Sequence, residues 1–123
     1  MENLTIERTQ RTPYVDFNIS GELLIEGRST PENSVEFYSL LINWLKNFQK
    51  TKPAKINLHV KLEFFNTSSG KLLINMFKQI ERFRTIGANP GIIWYYDPAD
   101  EDMFQSGCDF QSIVQVPFSM VKN

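Results

Sequence analysis

The stretch that most limits what this chain can become runs from Lys55 to Phe83. Ile56, Leu58, Val60, Leu62 and Phe64 are apolar, and Asn57, His59, Lys61 and Glu63 between them are polar. That strict alternation is the period of a β-strand with one buried face. Further on, Leu72, Leu73, Met76, Phe77, Ile80 and Phe83 recur at the three-and-four spacing of an amphipathic helix. Between strand and helix stand Asn66, three consecutive hydroxyl residues (Thr67, Ser68 and Ser69), then Gly70 and Lys71. Such a turn falls where a helix has free backbone N–H groups and a partial positive charge. Two readings are open. Asn, Ser and Thr are the usual helix caps, because their side-chain oxygens accept from the amides of the first turn. A phosphate attached or bound at the same place would be stabilised by those amides and by the dipole. A nucleotide P-loop fails, because Phe65 stands where an earlier Gly is needed and Leu72 follows Lys71 where a Ser or Thr is needed.

A chain of 123 residues predicts one domain, 1–123, long enough to bury a core. A formal charge of −1 and a pI near 5.8 lack the basic excess of a general nucleic-acid binder. Cys108 is the only cysteine, so no intrachain disulfide can form, and a reducing compartment is expected. The opening residues Met1 to Arg8 have no apolar core of the signal-peptide kind, and no apolar run is long enough for a membrane span. These features predict a cytoplasmic protein with neither nucleic acid nor membrane as partner.

Strands are expected before the central turn. Leu4 and Ile6 suggest a short edge segment, and Val15, Phe17 and Ile19 alternate with Asp16 and Asn18. Ser20-Gly21 then turns the chain into Glu22 to Gly27, as in a hairpin. The first helix is expected to open with Thr30 as N-cap and Pro31 in the first helical position. Glu32 then lies in the first turn, and the helix runs to about Gln49, ahead of Pro53. Its apolar set, from Val35 to Phe48, is wider than one stripe against a sheet requires. Either the helix is wedged between neighbours, or one edge, at Tyr38 or Ile42, meets a partner. Gly87 to Gly91 reads as a stop, and Ile92 to Tyr96 as an interior strand. Asp97 and Pro98 read as the cap and first residue of a short acidic helix ending near Ser106-Gly107. Ile113, Val114, Val116 and Phe118 suggest a last strand, with Pro117 favouring a sheet edge.

This order predicts an α/β fold with two parallel crossovers over a mixed sheet of about five to six strands. The polar second face of the Lys55–Phe64 strand places the helices mainly on one side. If Phe64 lies in the core, Phe65 points to the opposite face and is available to a partner.

No catalytic or metal-binding set stands out. His59 is the only histidine and lies on the polar strand face, where a solvated side chain is expected. A triad of Ser68 or Ser69 with His59 and an Asp fails, because His59 is several residues from the end of its strand. The acidic run Asp97 to Asp102 lacks the calcium-loop pattern, since Ala99 takes a ligand position. No cofactor is expected.

Strand, hydroxyl-rich turn and helix resemble the phosphorylation loop of anti-sigma-factor antagonists, the STAS-type domains, where an Asp-Ser-Ser-Gly turn carries the modified serine. A longer resemblance is to the SiaC family of biofilm-regulatory phosphoproteins. Pro31-Glu32-Asn33-Ser34 at a helix start, Trp44-Leu45 within that helix, Asn66-Thr67-Ser68-Ser69 before the second long helix, and a strand ending in Tyr96-Asp97 carry it. The resemblance implies a STAS-like regulatory domain, not a catalyst. It implies control by a dedicated serine/threonine kinase and a metal-dependent serine/threonine phosphatase, with a diguanylate cyclase as the partner bound by the unphosphorylated form. The family's phosphothreonine falls on Thr67; alignment through Gly70 to the STAS turn gives Ser68 instead, and Ser69 is the remaining hydroxyl. Asn66, Gly70 and Lys71 complete the switch turn. Phe65, Pro31, Glu32, Asn33 and Tyr38 are the candidate partner contacts. The rival reading is a small phosphate-ligand-binding domain or enzyme that uses residues 66–71 as an anion site.

Overall fold

A computed structural model describes residues 1–123. The chain forms β1 (Leu4–Ile6), β2 (Tyr14–Phe17), β3 (Glu22–Ser29), α1 (Ser34–Lys50), β4 (Lys55–Phe65) and α2 (Thr67–Glu81). A short 3₁₀ segment (Arg82–Ile86), β5 (Asn89–Tyr96), α3 (Glu101–Ile113) and β6 (Phe118–Lys122) complete it. The six strands lie side by side in chain order. β1, β2 and β3 pair antiparallel, and β3 to β6 pair parallel. Each parallel pair needs a crossover, so there are three, through α1, α2 and α3, where the sequence pattern suggested two.

The helices share one buried cluster with one face of the sheet. Ile56, Leu58, Val60 and Leu62 of β4 meet Leu41, Leu45 and Phe48 of α1, Leu73, Met76, Phe77 and Ile80 of α2, and Met103 and Phe110 of α3 within it. Trp94 of β5 is central to its far half: its ring packs with Phe65, Phe110 and Phe118, and its Nε1 donates to the Met103 carbonyl at 3.0 Å. Burying a ring of this size contributes on the order of 3 kcal/mol, and the hydrogen bond removes the cost of hiding its N–H. No helix is long and apolar enough to cross a membrane.

The opposite face carries no helix, but its polar residues are organised. His59 is half-buried, with Nδ1 2.9 Å from the Tyr95 hydroxyl and Nε2 3.1 Å from Glu22 Oε1. Asn57 Nδ2 donates to the other Glu22 oxygen at 2.8 Å. That bond chiefly holds the Glu22 carboxyl below its ordinary range against a smaller opposing effect of burial, with His59 and Lys55 assisting. The solvated His59 expected from sequence is therefore one rung of a polar ladder.

Several element boundaries differ from expectation. α1 is capped by Asn33, whose side chain accepts from the Glu36 amide at 3.0 Å. Thr30 instead gives its amide to the Arg11 carbonyl at 2.7 Å, and Pro31 is buried ahead of the helix. α3 is capped by Asp100, because Asp97 is used in the preceding turn, where its Oδ1 accepts from the Ala99 amide at 2.8 Å. α3 also continues through Gly107 to Ile113, and the last strand begins only at Phe118. Gly107 is a packing residue: a Cβ there would lie 2.5 Å from Trp94 Cδ1 and 2.5 Å from Met120 Cε.

Candidate functional site at the start of α2

β4 delivers the chain to the turn through an irregularity. Its register with β3 pairs Gly27 with Leu62 but Arg28 with Phe64, so Glu63 is an extra residue on the β4 side. An extra residue in one strand reverses the faces of all that follow. Phe64 is consequently 47% exposed, with the Arg28 guanidinium 5.2 Å from its ring centre. Phe65 turns inward onto Trp94 and Phe110, at centroid distances of 6.0 and 5.9 Å. This corrects the expectation that Phe65 is the partner-facing ring; Phe64 is the exposed one. Arg8 passes over Gly27 and pairs with Glu63, holding the irregularity from outside.

The turn itself is fixed by Asn66. Its amide donates to the Ser29 carbonyl at 3.1 Å, and its side-chain oxygen accepts from the Ser69 amide at 2.9 Å. Gly70 lies against Phe65, where an added Cβ would come within 3.2 Å of the ring. The inward Phe65 and the glycine are thus one packing feature.

The three hydroxyls occupy three different environments. Ser69 is fully buried; its Oγ donates to the Ser29 carbonyl at 3.0 Å and accepts from the Ser29 hydroxyl at 2.9 Å. Ser29 in turn lies 2.6 Å from the Tyr38 hydroxyl, so Tyr38 donates to it and the chain of three is satisfied. Burial pushes the Tyr38 phenol up to about 12, against the lowering effect of its serine neighbours. Tyr38 is wholly inaccessible, which removes it from the candidate partner contacts. Buried Pro31 is removed for the same reason. Ser68 is exposed, but its Oγ donates to Asn66 Oδ1 at 3.1 Å and sits 2.7 Å from the Ser34 hydroxyl at the start of α1. Thr67 is exposed, and no hydrogen bond holds its hydroxyl.

Around Thr67, Lys71 is exposed one turn along α2, and Glu32 and Asn33 are exposed beside the start of α1. Glu32 pairs loosely with Arg11 at 3.5 Å. α2 has no acidic residue in its first turn. A cleft of about 640 Å³ is lined by Lys61, Glu63, Asp97, Asp100, Glu101 and neighbouring residues, and none of residues 66–71 belongs to it. No three His, Cys, Asp or Glu side chains converge as metal ligands. Ser69 lies under the helices while His59 is on the opposite sheet face, so they do not form a catalytic pair.

Sequence reasoning missed Ser29, Ser34 and Phe64. The two serines lie about ten residues or fewer from Tyr38 in sequence but face the turn only through the β3–β4 pairing and the packing of α1 on α2.

A profile described as SiaC family regulatory phosphoprotein matches residues 6–123. An uncharacterised protein of Pseudomonas aeruginosa (strain UCBPP-PA14) is 29% identical over 121 residues, covering 98% of this chain and 96% of that one. The crystal structure of apo-SiaC from Pseudomonas aeruginosa superposes with a TM-score of 0.90 at 28% identity, over 98% of this chain and 99% of that one. A chain in the crystal structure of the diguanylate cyclase SiaD in complex with its activator SiaC, from the same organism, gives the same score, identity and coverage.

Proposed function

The chain belongs to the SiaC family of regulatory phosphoproteins, and from that premise we propose that it is a phosphorylation-controlled switch whose free form binds and regulates a diguanylate cyclase. The observation that carries this is the state of Thr67: exposed, uncommitted, and first in a helix whose opening turn has no negative charge of its own. The SiaC chain seen with SiaD, described as its activator, supports the choice of partner.

A serine/threonine kinase supplies the phosphate and a metal-dependent phosphatase removes it. Transfer forms a bond from Thr67 Oγ1 to phosphorus and breaks the bond between the γ-phosphorus and the bridging oxygen of a nucleoside triphosphate. The hydroxyl proton passes to a base on the kinase. The product carries about −1.5 to −2 charges and three acceptor oxygens. At the start of α2 this charge meets free amides and the positive end of the dipole, so the domain itself tolerates it. A partner packed over the turn has to strip water from the dianion, which weakens the complex. Exposed Glu32, Asn33, Phe64 and Lys71 are the side chains around Thr67 available to that partner. The lone unpaired Cys108 suits a cytoplasmic location.

The test is phosphopeptide mass spectrometry of protein isolated from its host, joined to cyclase binding by Thr67→Ala and Thr67→Glu proteins. Phosphate on Thr67, retained binding by the Ala protein and binding weakened about tenfold or more by Glu are expected. Loss of all binding by Thr67→Ala would sink the switch, since Ala leaves the turn uncharged.

A further inference from the structure

We infer that Ser34, from α1, determines which hydroxyl of the turn is modified, by withholding Ser68; this rests on the switch reading above. Thr67 and Ser68 are adjacent and exposed, and each carries a hydroxyl able to accept a phosphoryl group. Position alone does not separate them for a kinase that reaches the start of α2. Their hydrogen bonds do. Ser68 Oγ gives its proton to Asn66 Oδ1, so Ser34, at 2.7 Å, is the donor to one of its lone pairs. An oxygen attacking phosphorus needs a free lone pair directed outward and a proton that a kinase base can take. Ser68 has its proton and one of its two lone pairs engaged, whereas the Thr67 hydroxyl has its proton and both lone pairs free.

Ser34 can hold this position because it is itself fixed. It is the first residue of α1, only 6% exposed, and the next residue after the Asn33 cap. The α1 start therefore acts on the α2 start through one pair of hydroxyls. Asn66 Oδ1 accepts from both the Ser68 hydroxyl and the Ser69 amide, so it engages only the proton of Ser68; Ser34 is the group that occupies the acceptor side of the Ser68 oxygen. Ser69 needs no such device, since it is enclosed.

The experiment compares four full-length chains in their own host, under conditions that phosphorylate the wild type: wild type, Thr67→Ala, Thr67→Ala/Ser34→Ala and Thr67→Ala/Ser34→Thr. Phosphate is located by peptide mass spectrometry and folding is checked by thermal melts. The wild type is expected to carry phosphate on Thr67 and the Thr67→Ala chain almost none. The Thr67→Ala/Ser34→Ala chain should gain phosphate on Ser68 by at least several-fold. Ser34→Thr keeps a hydroxyl at the position and should keep Ser68 silent. In the Ser transfer, Ser68 Oγ bonds to phosphorus as the nucleotide's bridging oxygen leaves and the proton goes to the kinase base, as for Thr67. Phosphate on Ser68 in Thr67→Ala alone, at the level of the double variant, overturns the role of Ser34. No phosphate on Ser68 in the folded double variant overturns it as well, while leaving the Thr67 switch intact. Absence of phosphate from every chain, wild type included, overturns the switch reading and this inference with it.

Discussion

α1 and α3 begin alike, and α2 begins differently. Asn33 caps α1 and Glu36 follows in its first turn; Asp100 caps α3 and Glu101 and Asp102 follow. Each of those helices carries its own counter-charge against the dipole. α2 has an equivalent cap in Asn66 but only hydroxyls, a glycine and a lysine behind it. Its backbone is as well held as the other two, while its electrostatics are left open. The difference shows how a helix start can be rigid enough to present a residue and still gain from a negative group added later.

The comparison can be broken most severely beneath the turn. Tyr38→Ala would leave a cavity and strand Ser29 and Ser69 without their third partner. We expect a loss of about 3 to 5 kcal/mol in urea unfolding, several times the cost of trimming either other cap. A loss below about 1 kcal/mol would mean that the α2 start is not anchored through the core. Next in size is an effect of alkali. Folded Tyr38 keeps its proton until about pH 12, whereas the unfolded side chain releases it near 10.0. Stability should therefore fall as pH rises from 10 towards 12, by about 2 to 3 kcal/mol from this group. Tyr38→Phe should flatten that part of the pH profile relative to wild type.

Two smaller tests compare the starts directly. Asn66→Ala and Asn33→Ala should each cost about 1 kcal/mol, with Asn66 the larger because Ser68 also loses its acceptor. Thr67→Asp should raise stability by about 0.3 to 1 kcal/mol at low salt and lose that gain at high salt. Glu36→Gln in α1 should do the reverse by a similar amount. If Thr67→Asp destabilises the protein, the α2 start is not the open electrostatic site described.

Much of this arrangement is legible in the residues. The alternation of β4, the periodicity of α2 and the polar turn between them match the observed strand, turn and helix, because each is a local pattern. What escapes is decided across the sheet. Nothing in Leu62-Glu63-Phe64-Phe65 announces that Glu63 is an extra residue; the break lies in its pairing with Gly27 and Arg28. The wide apolar set of α1 includes Tyr38, and only the serines it meets, nine and thirty-one residues away in sequence, show that its hydroxyl points inward. Gly107 resembles a helix stop because its real constraint, the approach of Trp94 and Met120, comes from two other strands.

The sheet order has a consequence for synthesis. Since the strands lie in chain order, each new strand of the growing polypeptide meets an edge already built and never has to be inserted between two others. The anchors of the switch turn, Ser29, Ser34, Tyr38 and Asn66, all precede Ser69 in the chain. The turn can therefore be tied down while β5, α3 and β6 are still being made. Phe65, just ahead of the turn, must wait for Trp94 and Phe110 to arrive. For that interval the nascent chain leaves an aromatic side chain uncovered immediately before the turn.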